Sequence, residues 1–161
     1  MLRTTTGILA ILSAWLLLAA NKVLAEEHGH EAAHGGCLNE LCECENGHAE
    51  VKVEGNLLRL WFVGGGNDTK KSVRVPDKEL TLTVKGSNGA ADKQVVLKAK
   101  PIELAEEKVG DCSCFEGQAD WLKDVKEFVA TGSVMFKGKK TAIRIEYPKG
   151  YDPDHDAPVK K

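Results

Sequence analysis

The feature that most narrows the fold is a two-residue alternation of apolar and polar side chains, broken every few residues by turn-forming pairs. Leu80, Leu82 and Val84 alternate with Thr81, Thr83 and Lys85, the period of a strand with one face buried. His48 to Glu54 and Leu57 to Val63 read as two further strands, and Val95, Leu97 and Ala99 mark another. Val134 and Phe136 are placed to pair with Ile143 and Ile145 across a Lys137-Gly138-Lys139 turn. Asn46-Gly47 and Asn88-Gly89 suit type I′ hairpins, so Leu41 to Glu45 is expected to pair with His48 to Glu54. Residues 119–129 depart from the rhythm. Trp121, Leu122, Val125, Phe128 and Val129 recur at helical spacing and predict one short helix over an end or edge of the sheet. Many short strands with frequent turns place the chain in the mainly β class, as an immunoglobulin-like β-sandwich with one short helix.

The ends of the chain read differently. Arg3 precedes the uncharged apolar run Ile8 to Ala20, and Val23-Leu24-Ala25 offers a small-residue cleavage site. That is the layout of a secretory signal peptide over residues 1–25, and the run is short for a membrane span. A cleaved, periplasmic or otherwise extracytoplasmic protein without stable membrane insertion is expected. Cleavage removes Arg3 and Lys22 but none of the 24 acids, leaving a net charge of about −4. A chain so balanced is not expected to bind nucleic acid. Residues 26–40 lack apolar periodicity and read as a flexible His-rich segment, 41–147 as the sandwich, and 148–161, with Pro148, Pro153 and Pro158, as a loosely ordered tail.

Several side chains have metal-binding chemistry. Cleavage after Ala25 would leave Glu26-Glu27-His28 at the new N-terminus. Its amine, two amides and imidazole can form the square-planar nitrogen set that Cu(II) and Ni(II) prefer. His28, His30 and His34 fall within seven residues, among Glu26, Glu27 and Glu31, and imidazole suits copper and zinc. The plainer reading of that tract is a solvated linker. His48 is read as an exposed histidine beside a turn, on the face away from Val51 and Val53. With Glu50 two residues on, it would join His34 if the Gly35-Gly36 turn folds back. His155, among Asp152, Asp154 and Asp156, reads as part of a solvated tail.

The five cysteines leave two alternatives open. On strands, Cys42 and Cys44 would share a face, and so would Cys112 and Cys114. Brought together, the four form either a zinc or Cu(I) site or disulfides, which an extracytoplasmic location permits. Cys37 is left over, as a ligand beside His34 or as an exposed thiol. No P-loop, Gly-x-Ser-x-Gly or His-Glu-x-x-His motif occurs, and nothing near the cysteines would lower a thiol pKa. No enzymatic activity is expected.

His34-Gly35-Gly36, followed by His48-Ala49-Glu50-Val51, Phe115-Glu116-Gly117 and the hairpin 132–146, resembles small exported bacterial β-sandwich proteins found alongside heavy-metal efflux systems. Related segments occur in the periplasmic adaptor subunits of those pumps. The resemblance implies that His34 and His48 are ligands. It departs from the pattern in the two Cys-x-Cys pairs. The expected function is to buffer or deliver copper or zinc, with an efflux adaptor or another envelope protein as partner. The alternative is a disulfide-stapled interaction module without metal.

Overall fold

The computed structural model describes residues 31–42, 46–86 and 90–153. The signal-like segment, His28, His30, Cys44 and His155 lie outside these residues. Eight strands follow one another: β1 (Cys37–Glu40), β2 (His48–Glu54), β3 (Leu57–Val63), β4 (Glu79–Val84), β5 (Lys93–Ala99), β6 (Cys114–Gln118), β7 (Phe128–Phe136) and β8 (Lys139–Tyr147). Neighbours are antiparallel throughout, in the order β1-β2-β3-β6-β5-β4-β7-β8. The mainly β class is as the alternation requires. The strands form one continuous sheet, rolled until β8 returns to β1 in a nearly closed barrel.

The inward face carries the core: Ala49 and Val51 of β2, Leu58, Leu60 and Phe62 of β3, Phe115 of β6, and Ile143 and Ile145 of β8 are all shut off from solvent. Their i, i+2 spacing puts each set on one side of its strand. Phe62 anchors the interior, edge-on to Phe115 and tilted against Phe136.

Three local expectations change. The first strand is Cys37–Glu40, earlier than Leu41 to Glu45, and it pairs Asn39 with Ala49 and Glu40 with His48. Cys42 takes a left-handed φ of 70°, a conformation that ends extended pairing. Part of the segment expected to be flexible is therefore built into the sheet. The helix expected at 119–129 is a single 3₁₀ turn, Asp120–Leu122, and Phe128 already opens β7. Leu122 and Phe128 are buried, and the Trp121 ring meets Phe128 edge-on at 5.6 Å. The helical spacing arose from a turn and a strand packing against the same end of the core. The start of the expected tail is also ordered. Tyr151 bridges to Asn39, its carbonyl accepts from the Glu40 amide at 2.8 Å, and its amide donates to Leu38. Residues 149–151 thus cover the free edge of β1, where unpaired backbone would otherwise face outward.

Candidate functional site

β2 sends Ala49, Val51 and Val53 inward, so His48 and Glu50 lie on the outer face of the sheet. Both are nonetheless buried, Glu50 completely and His48 at 2 % exposure. The Glu50 side chain is roofed by the chain at 34–36. Gly35 turns with φ +71°, and Gly36 crosses β2 so closely that a Cβ there would lie 2.5 Å from the Val51 carbonyl oxygen. Glu50 holds this turn down. One carboxylate oxygen accepts the His34 amide at 2.7 Å and the Gly36 amide at 2.9 Å, and the other accepts from His34 Nδ1 at 2.8 Å. The imidazole then lies flat on Trp61, with ring centroids 4.3 Å apart. Trp61 is the residue directly opposite Glu50 on β3. The fold-back of Gly35-Gly36 thus occurs, and Glu50 is its anchor.

His48 is not the exposed turn residue of the sequence reading. Its Nδ1 lies 3.1 Å from the Gly64 carbonyl. A carbonyl and a carboxylate only accept, so in both rings Nδ1 carries the proton. The neutral imidazole then has its lone pair on Nε2. Metal-binding histidines are commonly oriented by such an Nδ1–H to oxygen bond. The structure thus places His34 and His48 on one face of β2, related through Glu50.

Among the described residues, Cys37 and Cys42 stand apart from Cys112 and Cys114. Cys37 stands opposite Val51 and packs against the core, on the other side of the strand pair from the His34–Glu50 contact. Cys42 sits in an exposed loop with its sulfur 3.8 Å from the Thr141 hydroxyl. Cys112 forms a bridge with Val75, and Cys114 pairs with Trp61. Cys42 is therefore beside β8, and Cys112 and Cys114 are beside β3. Cys44, the fourth member of the expected sulfur cluster, lies outside the described residues, and Cys42 takes a left-handed φ of 70°. Cys37, Cys42, Cys112 and Cys114 are all free thiols.

Burial pushes the Cys112 and Cys37 thiols up, and pushes Cys114 up to about 12, the opposite of what a reactive thiol needs. Next to them, burial also pushes the Glu107 carboxyl up, but hydrogen bonds from the Ser113 hydroxyl and the Ile102 and Ser113 amides outweigh it. Its pKa is held below the usual range.

On the far side of His48 a cleft of about 340 Å³ opens between β1 and the 148–152 segment. Leu38, Glu40, His48, Lys149, Tyr151 and Asp152 line it. Glu40 gave no signal in the sequence, because its burial depends on a tail segment expected to be loose. Trp61 read only as a core or interface aromatic. Among the described residues, no three His, Cys, Asp or Glu side chains are grouped to hold a metal ion. Comparisons with known protein families, with characterised proteins and with solved structures found no match for this chain.

Proposed function

We propose that this is an extracytoplasmic metal-binding protein that buffers or hands over copper or zinc, with His34 and His48 as its ordered donors. The observation that carries the reading is the Glu50–His34 bond. A fully buried carboxylate lies 2.8 Å from Nδ1 and so leaves Nε2 as the nitrogen that an ion would take. His34 keeps about a third of its side chain exposed, so an ion has access to the ring. Few fixed donors leave coordination positions open, which suits transfer better than storage, since structural zinc sites are closed by four protein ligands. His28 and His30 would feed ions to this face, and an efflux adaptor or other envelope protein would receive them. The rival reading, a disulfide-stapled module, has less support, because the four described cysteines are free thiols. We also propose an immunoglobulin-like layering of the rolled sheet, on the ground that its β5–β6 and β4–β7 joins are only two residue pairs each.

The test is competition for copper and zinc between the mature protein and a chelator of known affinity. Wild type is expected to retain about one ion per chain, and His34→Ala and His48→Ala each to weaken binding about tenfold or more. Unchanged affinity after replacing His28, His30, His34 and His48 together would contradict the proposal.

A further inference from the structure

Glu40 is a second feature of this face, separate from the His34–Glu50 clamp. It stands directly opposite His48 in the β1–β2 ladder, and side chains at such positions lie on one face with Cβ atoms about 5 Å apart. Its side chain is 5 % exposed, and its Oε2 is buried without any hydrogen-bond partner. A buried carboxylate oxygen with nothing to accept from is costly, and proteins meet that cost with a hydrogen bond, a counter-charge or a metal. Glu40 and His48 line the same cleft, together with Asp152 and the Lys149 ammonium.

We propose that Glu40 and His48 form a two-donor seat for a divalent transition-metal ion in this cleft. One carboxylate oxygen and one imidazole nitrogen match the borderline ions Zn(II) and Cu(II). Ca(II) and Mg(II) take all-oxygen sets and would be poorly served. Water completes the coordination, consistent with the absence of a third grouped donor among the described residues. The cation supplies what the orphaned Oε2 lacks. This inference rests on the metal-binding reading above and adds a ligand to it that the histidine pattern does not contain.

The experiment is calorimetric titration of the mature protein with zinc chloride, alongside thermal melts with and without zinc, on wild type, Glu40→Gln and His34→Ala. Glu40→Gln is expected to weaken zinc binding about tenfold or more and to lose the zinc-induced rise in melting temperature. Its metal-free melting temperature should equal or exceed that of wild type, because a buried acceptor without a hydrogen-bond donor is gone. A Glu40→Gln protein that melts lower without metal but binds zinc like wild type overturns the inference and makes Glu40 purely structural. Should Glu40→Gln not fold, Glu40→Asp keeps the charge but retracts the oxygen, and undiminished zinc binding by it overturns the inference equally. Wild type that binds no zinc or copper removes the metal-binding reading as a whole. Wild type that binds zinc with Glu40→Gln unaffected and His34→Ala impaired removes only the Glu40 seat.

Discussion

The Glu50 carboxylate holds His34 twice, through the ring Nδ1 at 2.8 Å and the backbone amide at 2.7 Å, and also accepts the Gly36 amide at 2.9 Å. Glu50 itself is fully buried. The chain thereby covers a carboxylate on the outer face of a sheet, where an exposed charge would have sufficed for solubility. Hydrogen bonds to an ionised group contribute about 1.5–3 kcal/mol each, well above neutral ones. The arrangement is a positioning device as well as a staple.

Glu50→Gln tests the positioning. The amide keeps an oxygen for the backbone donors, but it no longer offers two acceptor oxygens to hold Nδ1–H. Metal affinity should drop about 10–100-fold, the range seen when a partner behind a ligating histidine is removed, with a stability loss of about 2–3 kcal/mol from the weakened buried hydrogen bonds. Chelator competition and a thermal melt on the same sample separate the two effects.

Trp61 provides an optical report of the same site. Its ring stacks on His34 at 4.3 Å with the planes 2° apart, and the other described tryptophan, Trp121, packs against Phe128. Cu(II) bound at His34 should quench Trp61 emission strongly. Trp61→Phe should remove most of the quenching while leaving copper affinity within about twofold, because an aromatic stack is worth only about 1 kcal/mol. Equal quenching in the variant would mean that copper sits elsewhere.

Much of this architecture was legible in the sequence, and the failures have physical causes. The strands His48–Glu54 and Leu57–Val63 were readable because both alternate cleanly against a core. β1 was not, since Cys37-Leu38-Asn39-Glu40 has no apolar rhythm and is held by pairing on both sides, to β2 and to Tyr151. Trp121, Leu122, Val125 and Phe128 mimic a helical stripe because a 3₁₀ turn and the start of β7 bury neighbouring residues. His34, His48 and Glu50 could be associated from the glycine turn and the i, i+2 spacing. The burial of Glu40 could not, because it depends on residues more than 100 positions away.

Thiol reactivity should follow burial. Cys42 is exposed, while Cys112 and Cys114 are buried, the latter with its pKa pushed up to about 12. Brief alkylation of the native protein at pH 8, read by peptide mass spectrometry, should modify Cys42 first and leave Cys112 and Cys114 unmodified until denaturant is added. Rapid labelling of Cys114 would contradict its burial at the start of β6.

Glu107 ties pH to stability. Its folded pKa lies below the ordinary carboxylate value, so the unfolded chain binds the proton more tightly. The stabilisation is present above the unfolded pKa, about 4.3, and is lost as pH falls through the lower folded value. Glu107→Ala strands the Ser113 and Ile102 donors and should cost about 2–3 kcal/mol at pH 7, shrinking towards pH 3. Denaturant melts at both pH values check this, and a penalty independent of pH would refute the assignment.

The most direct measurement is zinc titration of the mature protein labelled with nitrogen-15 in histidine, following both ring nitrogens of His34 by long-range proton–nitrogen NMR. The account predicts that Nε2 moves to a metal-bound shift as zinc approaches one equivalent, while Nδ1 stays protonated against Glu50. If neither His34 nitrogen moves although zinc is bound, or if Nδ1 is the atom that gives up its proton to the metal, the account of this site is wrong.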